Sequence, residues 1–171
     1  MQSGGGTNAL ETDAGDGSLR LSLSAANLWA LAVYEPHTYT DVRVEASVDL
    51  GTGSEGAAGL ICRHDRAAGW YEFNIYADHT YAILFGQWLA EGVARYTPLV
   101  VSESEAIRPG ANEIGLACEG DVLTPYINGV QIRRRQETVH VLHEGQVGVS
   151  AATFETAPLV IVVDWVRVGS P

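Results

Sequence analysis

"GWYEFNIYADHTYAILF", residues 69–85, places Trp70, Tyr71, Phe73, Tyr76, Tyr81 and Phe85 in one short run. Its apolar positions recur every second residue, the period of a β-strand and not of a helix. Tyr71, Phe73, Ile75 and Ala77 fall on one face, and Trp70, Glu72, Asn74 and Tyr76 on the other. The "DHT" loop, 78–80, folds the run into a hairpin with Tyr81, Ile83 and Phe85 opposite Ala77, Ile75 and Phe73. Those aromatic and branched residues form a core face. The preceding run joins the meander with Cys62 opposite Phe73 and Arg63 opposite Glu72, around a turn at "HDRAAG".

Outward from this stretch the pattern repeats. Runs with β-residue composition occupy 18–24, 28–34, 40–50, 58–64, 70–77, 81–88, 98–103, 112–120, 122–127, 130–135, 145–153 and 159–168. Turn residues separate them, and helical periodicity is almost absent. The expected fold is all-β, a two-sheet antiparallel sandwich formed by residues 18–171 as one domain. Residues 1–17, rich in Gly and small polar residues, read as a flexible tail. Asn128-Gly129 between β runs is the type I′ hairpin signal, which pairs Ile127 with Val130 and Tyr126 with Gln131. Pro125 lacks a ladder donor, so its strand has an edge or a bulge on one side.

The composition excludes several function classes. Lys and Arg total 10 against 21 Asp and Glu, a formal net charge of −11. Such a chain repels nucleic-acid phosphates and anionic membranes. No run reaches the length of a membrane helix. The first residues have neither a basic start nor an apolar stretch, so they do not read as a signal peptide. They suit a tail that follows a removed secretion signal or a lipid anchor.

Ile61, Arg63, Glu72, Asn74 and Tyr76, joined by Trp70 and Trp88, form the candidate ligand face. Aromatic rings cover the apolar side of a sugar ring, and Arg, Glu and Asn bond its hydroxyls, so a concave sheet face carrying both suits a saccharide. A solvated face with an Arg63–Glu72 cross-strand ion pair is the competing reading. "RRR", 133–135, reads as a solvated strand end. "ETDAGD", 11–16, carries the spacing of paired glycanase carboxylates but lies in the tail, where nothing fixes it. His140 and His143 in "HVLHE" lack a third zinc ligand in sequence. No cofactor is implied. Calcium stays open, with Asp65, Asp78 and Asp164 as rim candidates, and no nucleophile elbow or phosphate loop occurs.

"YTDVRVEASVDL", "GLICRHDRAAGWYEFNIYADHTYAI", "NEIGLACEGDVLTPYINGVQI" and "GQVGVSAATF…VDWVRV" occur in an order that resembles the concanavalin A-like lectin/glucanase superfamily. More narrowly, the chain resembles the laminin-G-like bacterial domains found near the three-keto-disaccharide hydrolase family. The resemblance covers about residues 18 to 169 and implies a jelly-roll sandwich with one concave sheet. It also implies an exported or membrane-tethered protein. In that setting an oxidised pair is expected of Cys62 and Cys118, both inward-facing on strands, provided that the strands adjoin or face each other. The glucanase strand motif, two Glu around an Asp at alternate positions, has no match on these strands. The expectation is therefore a non-catalytic extracellular module that binds carbohydrate, and no catalytic residue is assigned. The alternatives are a protein-interaction, sensor or adhesion domain and, third, a glycoside hydrolase using Glu72.

Overall fold

Branched and aromatic runs divided by turn residues give fifteen strands among the described residues, 1–4, 8–51 and 55–171, of the computed structural model. They are β1 (Gln2–Ser3), β2 (Leu10–Gly15), β3 (Ser18–Leu23), β4 (Trp29–Tyr39), β5 (Val42–Asp49), β6 (Gly56–Asp65), β7 (Gly69–Tyr76) and β8 (Thr80–Ala90). β9 (Val93–Glu103), β10 (Ala111–Glu119), β11 (Val122–Ile127), β12 (Val130–Gln131), β13 (Arg135–Gln136), β14 (Gly145–Thr153) and β15 (Leu159–Gly169) follow. One sheet runs β1-β4-β14-β6-β7-β8-β9. The other runs β12-β11-β10-β5-β15-β3-β2, with β13 also on β11. All pairings are antiparallel, the architecture of a jelly-roll sandwich. No helix among the described residues is long and apolar enough to cross a membrane.

The N-terminal segment is not a tail throughout. Leu10–Gly15 pairs with β3, and Gln2–Ser3 pairs with β4. The expected tail also includes residues 5–7, which lie outside the described residues. Short polar strands such as β2 give no hydrophobic alternation to read.

The two sheets meet over a core of Leu60, Cys62, Tyr71, Phe73, Ile75, Ile83 and Phe85 from one side and Val42, Val44, Ala46, Leu116 and Cys118 from the other. Cys62 on β6 and Cys118 on β10 form a disulfide that ties the sheets together across this core. Its loop of 56 residues would stabilise the fold by about 4 kcal/mol in the chain-entropy model. The Asn128-Gly129 turn has the pairing of Ile127 with Val130 and Tyr126 with Gln131, with both turn residues at positive φ.

Two registers differ from the sequence expectation by two residues. Cys62 faces Tyr71 and Ile61 faces Glu72, while Tyr81 faces Ile75 and Phe85 faces Tyr71. A two-residue slip preserves the faces, so the core assignment of the rings survives. Ala77 is the exception, exposed in the loop beyond β7.

The sheets differ in how they meet water. β5 alternates buried Val42, Val44, Ala46 and Val48 with half-exposed Arg43, Glu45, Ser47 and Asp49. Every residue of β7 from Gly69 to Ile75 is buried. The seven-stranded sheet curls until its edges meet. Trp29 of β4 stacks on Tyr96 of β9 at 5.0 Å, although four strands separate them in the sheet order. β1 lies in the seam. It pairs with β4, and on its other side Ala94 N–H donates to Ser3 Oγ at 2.9 Å and Gly4 N–H donates to the Gly92 carbonyl at 3.3 Å. The concave face is therefore a covered trough with a second core of Leu31, Ile61 and Trp70.

Candidate functional site

The trough is built on residues with no side chain. A Cβ on Gly86 would overlap the Trp70 ring, and one on Gly59 would overlap Asn74 and crowd Ser150. The bare positions let Trp70 and Asn74 lie flat inside the curl. Trp70 Nε1 donates to Glu72 Oε2 at 3.0 Å, and Asn74 Nδ2 donates to Glu72 Oε1 at 2.9 Å. Ser150 Oγ donates to Asn74 Oδ1 at 3.2 Å. Burial raises the Glu72 pKa above its ordinary value, and the Trp70, Asn74 and Ser150 donors oppose the rise.

Six rings run along the trough in unbroken contact. Trp88 lies 5.1 Å from Trp70, Trp70 5.7 Å from Tyr96, and Tyr96 5.0 Å from Trp29. Trp29 lies 5.4 Å from Phe154, and Phe154 5.8 Å from Tyr76. Trp70 is fully buried, while the other five keep partial exposure. Burial pushes the Tyr96 hydroxyl well above its usual range, and the Glu72 charge adds to the shift. Tyr76 is pushed up to about 12 by burial first and by Glu72 second. Trp29 Nε1 and Trp88 Nε1 are buried without a hydrogen-bond partner in the protein.

The residues expected to form one exposed ligand face are thus distributed differently. Trp70, Glu72, Asn74 and Ile61 do share the concave face, but they are buried in it because the sheet edges close over them. Arg63 is elsewhere. A bulge between Cys62 and Asp65 gives it a positive φ of 53° and turns it away from Glu72. It is 1% exposed and donates to the carbonyls of Thr40 at 3.1 Å, Leu142 at 2.6 Å and Gly120, and to Asp41 Oδ1 at 3.3 Å. Burial lowers its pKa, with Tyr71, Asp41 and Asp121 acting against the shift. Arg63 is a staple for three loops. Tyr76 and Trp88 lie at opposite ends of the ring series. Tyr76 sits six positions along β7 from the Trp70 that touches Trp88, a rise of about 20 Å.

Trp88 borders open space. A cleft of about 680 Å³ is lined by Trp88, Arg66, Glu91, Gln2, Met1 and the turn at Ala90 and Gly92. Arg66 and Met1 also line a neighbouring cleft of about 360 Å³ with Glu35, Thr38, His64, Asp65, Glu144 and Gln146. The amide of Gln146 donates to the Glu35 carbonyl at 3.0 Å, which leaves its oxygen facing His64 Nδ1 at 3.3 Å. Nδ1 therefore carries the hydrogen. Burial lowers the His64 pKa, so the ring is neutral and Nε2 is an acceptor with no partner in the protein. Neither Arg66 nor His64 stands out in sequence, because a turn arginine and a strand-end histidine have no pattern of their own.

The remaining candidates do not converge. Asp65 Oδ1 accepts from Ala67 and Ala68 N–H at 2.8 and 2.7 Å, and Asp78 Oδ1 from Thr80 N–H at 3.0 Å, so both close their own turns. Asp164 is exposed on β15. Among the described residues no three His, Cys, Asp or Glu side chains come together to hold a metal ion. His140 stacks on Phe85 at 4.3 Å, apart from exposed His143. Arg135 contacts Glu137 at 3.5 Å beside exposed Arg133 and Arg134.

No protein-family model matches the chain, and no curated protein matches it. Solved structures do. The carbohydrate binding module CBM66 from Bacillus subtilis is similar at 18% identity and TM-score 0.63, over 99% of this chain and 94% of that one. A Bacillus subtilis protein of unknown function with a galectin-like fold is similar at 14% identity and TM-score 0.70, over 99% and 88%. A Bacillus licheniformis beta-glucanase is similar at 12% identity and TM-score 0.60, over 96% and 84%. With two curled antiparallel sheets and these neighbours, the chain has the concanavalin A-like jelly-roll fold.

Proposed function

We propose that the protein is a non-catalytic carbohydrate-binding module whose site is the double cleft around Arg66 at the Trp88 end of the trough. The observation that carries this reading is the adjacency of an aromatic lobe at Trp88 to a polar lobe, with Arg66 lining both. A saccharide needs an apolar surface for its C–H face and both donors and acceptors for its hydroxyls. Trp88 supplies the first. Arg66, Thr38 and Glu144 supply the second.

Binding is favoured over hydrolysis by the state of Glu72. It is 0% exposed with both oxygens engaged, whereas a general acid or base must reach the substrate. The inter-sheet disulfide supports an oxidising, extracellular setting. The laminin-G-like and bacterial character rests on the sequence segments quoted above.

A glycan array of purified protein tests the reading. Wild type is expected to retain a defined saccharide class, and Arg66→Ala to lose it by tenfold or more with unchanged thermal unfolding. A blank array for wild type, or equal binding by Arg66→Ala, would overturn it.

A further inference from the structure

We infer that the water side of the eight-stranded sheet carries a separate saccharide site, a pocket over Gly115 that receives the acetamido group of an N-acetylated sugar. It lies on the other sheet from the Trp88 cleft, so the two sites stand or fall independently. Three observations carry it.

The first is a pair of rings. Tyr126 of β11 and Trp165 of β15 are half-buried on the water side of the sheet and belong to neither core. They wall a pocket of about 100 Å³, with Gly115 in its floor between Tyr126 and Glu45. The second is that bare floor. Gly59 and Gly86 have no room for a Cβ, but one on Gly115 would meet Tyr126 Cβ at 3.4 Å and Glu45 Cγ at 3.5 Å, ordinary contact distances. Gly115 is mid-strand, and β10 pairs without a bulge on both sides. A glycine that neither packing nor a bulge requires marks a place where a ligand approaches the backbone. The third is a set of polar groups held in advance. Arg43 Nε and Nη2 donate to Glu45 Oε1 at 3.0 and 2.6 Å, and the guanidinium lies 4.1 Å over the Tyr126 ring. These contacts fix Arg43 and leave its Nη1 to donate to a ligand. Arg167 is held loosely, 3.7 Å from Glu45 Oε2 and 5.1 Å over Trp165, with a side chain 70% exposed.

The pocket selects a small neutral group. Its volume is roughly that of three waters, too small for a sugar ring but enough for a substituent. Glu45 and Glu113 offset the two guanidiniums, so a carboxylate or sulfate gains nothing from the lining. An acetamido group is planar and uncharged. Its carbonyl accepts from Arg43, its N–H donates to a glutamate, and its methyl lies on the Gly115 floor. The sugar ring stays outside and takes the place of Arg167 on the Trp165 face.

A nitrogen-15 NMR titration of the full chain tests this. The ligands are N-acetylglucosamine and N-acetylgalactosamine, with glucose and galactose as counterparts that lack the acetamido group. Gly115→Val fills the floor and Trp165→Ala removes a wall, and each is first checked for wild-type thermal unfolding. At least one acetamido sugar is expected to shift the Gly115 and Gly129 amides and the Trp165 indole N–H. The plain hexose should bind about tenfold more weakly, each pocket variant should lose about tenfold, and Arg66→Ala should bind as wild type does. No shift of these signals by either acetamido sugar, equal binding of the plain hexose, or wild-type affinity in both pocket variants would overturn the inference. Shifts confined to the Trp88 indole would overturn this pocket and leave the Arg66 clefts standing. Shifts at Trp165 that survive Arg66→Ala uphold it even where the clefts bind nothing.

Discussion

Trp70 Nε1 and Glu72 Oε2 are 3.0 Å apart, and both side chains are fully buried. They are two residues apart on one strand and therefore share a face. That face would be wet in an open sheet, but here it lies inside the curl. An indole N–H and an amide N–H are what allow a carboxylate to stay there. The trough is thus held by a polar pair as well as by its rings.

The Trp70 ring lies over Gly86, so Gly86→Ala forces the ring out of place. The substitution should destabilise the fold by about 1 to 3 kcal/mol, the range for overpacking a filled interior. Urea unfolding checks this, and a change within 0.5 kcal/mol would mean that the ring can shift freely.

Glu72 and Glu137 should give opposite pH dependences in separate windows. The folded pKa of Glu72 is raised by burial above 4.5, so the folded state keeps a proton that the unfolded state has released. Stability therefore falls as pH rises from about 4.3 through the folded pKa, by at most about 1.4 kcal/mol per unit. Glu72→Gln should flatten that slope. At Glu137 burial raises the pKa, but the N–H groups of His140 and Val139 and the Arg135 charge outweigh it and hold the carboxyl below 4.5. Its contribution is present above the unfolded value and lost as pH falls through the folded one. Chemical unfolding across pH 3 to 8 separates the two.

Arg63→Met should cost about 1 to 3 kcal/mol, because it leaves the buried Leu142 carbonyl without its donor and strips the donors of the Thr40 and Gly120 carbonyls. Saccharide affinity of the fraction that remains folded should not change. A loss of affinity with wild-type stability would instead place Arg63 in the site.

Reduction of the Cys62–Cys118 bond should lower unfolding stability by about 4 kcal/mol, since it removes the covalent tie between the sheets. Unfolding with and without dithiothreitol measures it.

The strands, the Asn128-Gly129 register and the aromatic core were legible because alternation and turn chemistry are local. Which face of β7 meets water was not. Period two separates Trp70, Glu72 and Asn74 from Tyr71, Phe73 and Ile75, but the closure that buries both sets depends on β1 and β9 meeting across the curl. A trace of it was present in Gly59 and Gly86, bare positions that face Asn74 and Trp70 on neighbouring strands. Arg63 was misplaced because its bulge reverses the alternation for one residue. The clefts around Arg66 are not legible in the sequence because they assemble from segments distant along the chain.

The most direct test is a calorimetric titration of the best array saccharide into wild type, Trp88→Ala and Tyr76→Ala. Trp88 borders the double cleft, and Tyr76 lies at the far end of the ring series. The account predicts a loss of tenfold or more, about 1.4 kcal/mol, for Trp88→Ala and a change under about twofold for Tyr76→Ala. Full affinity in Trp88→Ala, or an equal loss in Tyr76→Ala, would contradict it.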